Sequence, residues 1–243
     1  MEHTHITVDD VSYPVADVIE ALTPHLSEAR VHRFNEILDR RLSHLTLAVE
    51  NLHHSHNASA CLRSAEALGL QDVVAIEDLE ALPLQLEEAP YPIMRKVSKT
   101  AHRWLDIHSV DGPEGLRAFA DARGAQIFGA GPRGDLTLDS LPIEQPVIVV
   151  FGNELNGLRP ETQALCDGVF RIPMYGFCES FNVSVSAGIV LQRLGERIRA
   201  ALAAEEALGD LPEARRMGLL AQWCAQDVKA AGPILRRKLG QRG

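Results

Sequence analysis

Three stretches of this 243-residue chain gather the residue types that do chemistry. In the first, Asn51-Leu-His-His-Ser-His-Asn57 leads through Ala-Ser-Ala-Cys-Leu to Arg63. The second begins where the apolar run Val147–Phe151 breaks at Gly152 into Asn153, Glu154, Asn156 and Gly157. The third runs from Arg171 through Ile172, Pro173, Met174 and Gly176 to Ser180, Phe181, Asn182, Ser184 and Ser186. Amides, carboxylates, hydroxyls and guanidinium groups among glycine turns describe a polar cleft that orients a substrate by hydrogen bonds. Spacing alone does not name the reaction. Asn57 and Arg63 stand less than two helical turns apart, so only the tertiary structure decides whether they converge.

Two other patterns carry less. Gly129, Gly131 and Gly134 satisfy G-x-G-x-x-G, but a dinucleotide fingerprint must open a helix whose N-terminus meets the pyrophosphate. Here DLTLDSLPIEQP follows, with prolines at 142 and 146 and no helical period, which excludes a nicotinamide oxidoreductase. His53, His54 and His56 have no carboxylate or thiol partner at ligand spacing, so no metal site is expected. The four cysteines (Cys61, Cys166, Cys178 and Cys224) form no C-x-x-C pair and read as reduced thiols.

The elements that must position these residues alternate. An irregular leader over the first 25 residues precedes an amphipathic helix over Glu28 to Ser43. A strand at Leu45 to Val49 and a polar loop then lead to a helix capped by Asn57 and stopped by Gly69. Strands follow at Asp72 to Ile76, Leu105 to Val110, Ala125 to Ala130, Val147 to Phe151 and Val169 to Ile172. Helices start at Pro113 and Pro160, a long one spans about Asn182 to Leu208, and a helical tail begins at Leu211. Glu77 to Arg103 lacks periodicity. The run VIVVF is apolar on both faces, as a strand of a parallel sheet covered by helices must be. The expectation is an α/β fold with a mostly parallel sheet, divided as 1–44, a central 45–208 and a basic extension 209–243.

The three stretches resemble the three signature motifs of the TrmH branch of the SPOUT methyltransferases. ENLHHSHNASACLRSAEALGL is similar to motif 1, FGNELNGL to motif 2 and IPMYGFCESFNVSVSAG to motif 3, in the same order and spacing, over roughly Arg30 to Arg193. The likeness departs at Ser55, where many relatives carry Pro, and at Phe181, which stands for Leu. It implies an RNA 2′-O-ribose methyltransferase that uses S-adenosylmethionine, a C-terminal trefoil knot in the α/β fold, and a homodimer in which Arg63 faces the partner's cofactor loop. Arg63 is then the catalytic arginine, with Asn57, Glu154, Ser180 and Asn182 as orienting groups. Ala130, Gly131, Gly152, Asn153, Gly157, Ile172, Met174 and Phe181 would hold the cofactor. No metal is implied. Because a guanidinium stays protonated, either an RNA phosphate takes the ribose proton or Arg63 chiefly stabilises alkoxide charge.

Net charge is −9, which disfavours nonspecific nucleic-acid coating, yet the charge is segregated. Arg95, Lys96, Lys99 and Arg103 precede Trp104; Lys229, Arg236, Arg237, Lys238 and Arg242 crowd the tail; Arg30, Arg33, Arg40 and Arg41 sit near the N-terminus. Local patches, not totals, make phosphate contacts. The basic terminal helices resemble those of the tRNA enzymes of this family, a likeness that implies tRNA, at guanosine 18 of the D-loop, as first choice and rRNA as second. A non-catalytic RNA-binding or assembly factor is the alternative from another class. The N-terminus shows no signal peptide and no run spans a membrane, so the expected location is the cytoplasm.

Overall fold

The computed structural model describes residues 4–50, 55–77, 101–153 and 156–240. By contact density they divide into two compact units, Leu42–Glu206 and a second made of Met1–Arg41 with Ala207–Gly243.

The larger unit is built on a six-stranded sheet. Its strands are β3 (Leu45–Glu50), β4 (Asp72–Glu77), β5 (Asp106–Asp111), β6 (Gln126–Ala130), β7 (Val147–Phe151) and β8 (Gly168–Phe170). Every pairing is parallel, in the order β5-β4-β3-β7-β6-β8. All residues of β3, β4 and β7 are buried, which is why they show no polar alternation, with Glu50, Asp72 and Glu77 confined to the strand ends and Thr46 the one polar residue inside. Helices α3 (Ser55–Ala67) and α6 (Val183–Ala203) cover one face, bringing Cys61, Leu62 and Ala65 against Leu191, Leu194 and the odd residues of β3. The other face is covered by α4 (Gly112–Asp121), whose Leu116 and Ala120 meet Ala48, Val74 and Ile148. The short α5 (Pro160–Ala164) follows the β7 loop. Strand order runs outward in opposite directions from the β3–β7 pair. Such a switch point leaves a crevice beyond the carboxyl ends of the two central strands.

One connection binds β8 on both flanks. The Gly131 amide donates to the Phe170 carbonyl on the β6 side, at 2.9 Å. Five residues later the chain has come round: the Leu136 amide donates to Val169 at 3.1 Å, and the Arg171 amide donates to Leu136 at 3.0 Å. The Arg171 guanidinium donates to the Gly134 carbonyl, and Arg197 of α6 donates to the carbonyls of Leu138 and Leu141. A Cβ on Gly134 would lie 2.6 Å from the Phe170 backbone, so this close passage needs glycine.

The smaller unit corrects the reading of an irregular leader. β1 (His5–Val8) and β2 (Val11–Pro14) form an antiparallel hairpin, followed by α1 (Val15–Leu22). The hairpin turns on Asp9 and Asp10, both with positive φ (47° and 61°), a conformation that aspartate tolerates but that usually announces itself with glycine. α2 (Glu28–Leu38) ends earlier than the expected Ser43. It meets α7 (Glu213–Asp227) through an edge-to-face pair of Phe34 and Trp223, 5.6 Å between centroids. Arg30 holds Asp227 in a two-pronged ion pair at 2.8 and 3.1 Å. α8 (Ala231–Leu239) completes the unit. Among the described residues, no helix is long and apolar enough to cross a membrane.

Candidate active site

The segments that carry the predicted residues emerge at the switch point. β3 and β7 end together, Val49 level with Phe151, so the segments after each strand emerge side by side. Of the segment after β3, residues 51–54 lie outside the described part, and α3 starts at Ser55. Asn57 is therefore in the first turn of α3 rather than at its cap. Its side chain turns to a different partner: Asn182 donates through Nδ2 to Asn57 Oδ1 at 3.2 Å. Asn182 is itself the N-cap of α6, its Oδ1 accepting from the Ser184 amide at 2.9 Å and from the Ser184 hydroxyl at 2.6 Å. The first and third sequence stretches are thus joined amide to amide, 125 residues apart in the chain.

The second stretch forms a tight loop. Asn153 accepts from the Asn156 amide through its side chain at 2.8 Å and from the Gly157 amide through its carbonyl at 3.0 Å. Gly157 takes φ +69°, and a Cβ on Gly152 would overlap the Gly157 carbonyl. Both glycines are required by the backbone path. Glu154 lies outside the described residues. Ala130 ends β6 and Gly131 follows it, and Ala130 and Ile172 are partly buried against the main core. Met174 is half-buried, Phe181 is 41% exposed, and Ser180 is exposed.

Arg63 is not brought to Asn57. It is exposed, makes no hydrogen bond or ion pair among the described residues, and lies about 120° round the helix from Asn57, as six residues of α-helix dictate. Exposed apolar side chains lie on the third stretch and on α6: Tyr175, Phe177, Val185 and Ile189.

Sequence reasoning missed one group that shapes the loop. Glu50, at 1% exposure, ends β3. Its carboxylate accepts from the Arg159 amide at 2.9 Å, from Arg159 Nε at 2.8 Å and from the Thr162 hydroxyl. It thereby fastens the exit of the Gly152–Gly157 turn, at the start of α5, to the central strand. The signal was a lone carboxylate closing the apolar run LTLAVE. Nearby thiol and carboxyl groups are shifted by burial. Desolvation, with Asp167 and Glu50 adding repulsion, pushes Cys166 up to about 11 against the opposing effects of Arg117 and the Gly129 backbone. Burial raises Glu77 at the end of β4, opposed by a hydrogen bond with Ser109.

The basic patches are partly occupied. Arg41 is buried and stacks over Trp223 at 5.6 Å, so it is no phosphate ligand. Arg33 pairs with Glu36 at 3.3 Å, Arg236 with Asp9 at 3.3 Å, and Lys238 donates to the Ala21 carbonyl at 2.9 Å. Arg103 lies over the Trp104 ring at 5.4 Å, while Arg95, Lys96, Lys99 and Arg242 lie outside the described residues. Among the described residues no group of His, Cys, Asp or Glu could hold a metal ion. His53 and His54 lie outside them.

A parallel sheet with its switch point between β3 and β7, bracketed by these loops, is the architecture of the SpoU and TrmH enzymes. The structure of the TrmH/SpoU tRNA modifying enzyme from A. aeolicus superposes with a TM-score of 0.70 at 28% identity, covering 83% of this chain and 98% of that one. The SpoU methyltransferase AviRb from Streptomyces viridochromogenes, solved with AdoMet, gives 0.55 at 25% identity over 66% of this chain and 61% of that one. Residues 44–192 match the SpoU rRNA Methylase family, and the chain belongs to it. Among curated relatives, a tRNA (guanosine(18)-2′-O)-methyltransferase of Thermus thermophilus is 34% identical over 180 residues, 72% of this chain and 87% of that protein. The 23S rRNA (guanosine-2′-O-)-methyltransferase of Pseudomonas aeruginosa is 33% identical over 60% of this chain and 56% of its own length.

Proposed function

We propose that this protein is an S-adenosylmethionine-dependent RNA ribose 2′-O-methyltransferase, acting in the cytoplasm as a homodimer with guanosine 18 of tRNA as its target. The observation that carries the reading is the Asn57–Asn182 contact beside the Gly152–Gly157 turn, at the crevice of the parallel sheet. The tRNA assignment is supported by a relative that this chain covers nearly end to end. Ribosomal RNA is second, because the rRNA relative is matched over little more than half its length.

The residues present fit the cofactor. Gly131 and Gly152 stand where a Cβ would meet Val169 or the Gly157 carbonyl, so bare backbone lines the strand ends. Ala130, Gly131, Gly152, Asn153, Gly157, Ile172 and Met174 would hold it there, with Phe181 as an apolar wall. When bound, S-adenosylmethionine supplies a methyl group on a sulfonium, so no metal is needed. The chain's own task is to orient a ribose hydroxyl in line and to meet the charge that develops as its proton leaves. Arg63 stabilises that alkoxide, and the proton passes to an RNA phosphate. Asn57 and Asn182, holding one another, fix the geometry, and Glu154 and Ser180 complete the polar lining.

The position of Arg63, away from Asn57 and open to solvent, supports a site completed by a second copy. The exposed Val185, Ile189, Tyr175 and Phe177 supply apolar surface for that copy to cover. Bracketing of β8 by residues 131–136 supports the trefoil knot as the path by which the third stretch reaches the site. The test is to incubate the pure protein with methyl-labelled S-adenosylmethionine and unmodified tRNA or rRNA, then locate the label by nuclease mapping. Label on a tRNA guanosine ribose is expected. Label on a base, or on rRNA alone, would overturn the assignment.

A further inference from the structure

Most arginines of the larger unit are already engaged. Arg117 is held by Asp121 and Asp167, Arg159 by Glu50, Arg193 by Asp139, and Arg197 by the carbonyls of Leu138 and Leu141. Arg133 is different. It is exposed and makes no hydrogen bond, ion pair or ring contact among the described residues.

Its mounting is rigid. The Gly134 amide donates to the Gly131 carbonyl at 3.1 Å, closing a four-residue turn with Pro132 and Arg133 at its corners. Neither corner takes a positive φ, as in a type I turn, and proline at the first corner removes backbone freedom. The turn is fastened to β8 and its exit by the Gly131 amide on Phe170 and by the Arg171 guanidinium on the Gly134 carbonyl. Arg171 is otherwise exposed. One turn therefore carries two guanidinium groups. Asp135 is the single acid from Gly131 to Leu138 and pairs with neither, so the net charge here is positive. Like charges so placed repel, and an anion bound by both removes the repulsion.

The turn stands at the reacting end of the sheet. Gly129 is level with Val150, and Ala130 with Phe170, so Arg171 is level with Gly152 two strands away. At the usual strand spacing that separation is about 10 Å. A guanidinium presents a planar fork that matches phosphate oxygens. Small ligands are taken into enclosing clefts, whereas two exposed forks suit the backbone of a macromolecule.

We propose that Arg133 and Arg171 clamp a phosphate of the substrate RNA close to the ribose that is methylated. The proposal rests on the reading of the protein as an RNA-modifying enzyme. Phosphate contacts fix register without reading sequence, so the clamp sets which ribose reaches the cofactor.

The test titrates the full chain into a fluorescein-labelled, unmodified tRNA transcript, followed by anisotropy from 50 to 200 mM KCl. The variants are Arg133→Ala, which removes an exposed side chain, and Arg171→Gln, which keeps a donor for the Gly134 carbonyl. Each is expected to weaken binding about ten-fold, the worth of one charged hydrogen bond, and to lower the salt slope of log affinity by about one. Arg133→Lys should keep the slope. Calorimetry should show unchanged affinity for S-adenosylmethionine. Ethylation of a phosphate flanking the methylated ribose should block wild-type binding and leave Arg133→Ala indifferent. Unchanged affinity and slope in both variants overturn the clamp. So does lost cofactor binding at unchanged RNA affinity, which would assign the pair to the cofactor's carboxylate, or a change of oligomeric state by sedimentation that accounts for the weaker binding. Failure of the enzymatic reading is distinct: reduced slopes with no methyl transfer to any RNA leave the clamp standing and remove the activity.

Discussion

Replacing Glu50 by Gln tests how firmly the central strand holds the loop that follows β7. The carboxylate is buried and accepts three hydrogen bonds, two from Arg159 and one from Thr162. Bonds to a charged group contribute roughly 1.5 to 3 kcal/mol each. Breaking a fully buried ion pair from one side costs roughly 3 to 5 kcal/mol. Arg159 is 27% exposed, so water relieves part of the guanidinium's loss and the lower end applies. Gln also presents an amide NH₂ to sites filled by donors, so one contact turns repulsive. The expected loss is about 3 kcal/mol, read as a lowered urea midpoint at unchanged slope. Freeing the loop exit adds the ordering of about one residue to cofactor binding, near 1.4 kcal/mol, or ten-fold in Kd. Calorimetry with S-adenosylmethionine measures it. A stability loss under about 0.5 kcal/mol together with an unchanged Kd would refute the reasoning, since the three bonds would then be incidental to the loop.

Three further outcomes are expected. Arg63→Ala should lower methyl transfer by about 10²- to 10³-fold, the usual effect of removing one charge-stabilising donor; lost cofactor binding in a normally folded variant would contradict its role at the nucleophile. Gly152→Ala must push a methyl into the Gly157 carbonyl, so stability should fall by about 3 kcal/mol and calorimetry should detect no cofactor binding; near-normal binding would show that the loop has another path. Burial raises Cys166 and Cys224 from 9.0 to about 11, so both stay neutral thiols and iodoacetamide at pH 8 should label the exposed Cys178 in their place. Because the folded values lie above the unfolded ones, these thiols' contribution to stability is complete below pH 9 and is lost as pH rises towards 11.

Residues with a local signature were legible, and residues whose role depends on distant partners were not. Val147–Phe151 announced a doubly covered strand because its burial on both faces leaves no room for polar alternation. Gly69, at φ 85°, was readable as a helix stop for the same local reason. Asn57 was misread: asparagine before an apolar helix is ordinarily a cap, whereas here its partner is Asn182. The hairpin of residues 5–14 escaped because its strands are four residues long and its turn uses aspartates. Strand order was never accessible, since periodicity reports which face is buried but not which strand lies alongside. Glu50 carried only a hint, and its value lies in Arg159 and Thr162, more than a hundred residues on. The resemblance to known motifs supplied what spacing withheld.

The double bracketing of β8 bears on the order in which the chain assembles. A strand hydrogen-bonded to Gly131 on one flank and to Leu136 on the other cannot be added sideways, as an edge strand is added to an open sheet. Either residues 131–136 close around it after it has arrived, or it slides in lengthwise. The ring is pinned by Arg197, which belongs to the helix that follows β8, so the last clamp depends on the segment it encloses. In the proposed knot closure would come late, after long loops have been drawn together, and the entropy of that closure would fall on the climb to the transition state. The same geometry works in reverse. In the proposed knot such a ring would have to reopen before β8 could leave, so the third stretch would be retained by a slow exit as well as by its equilibrium contacts.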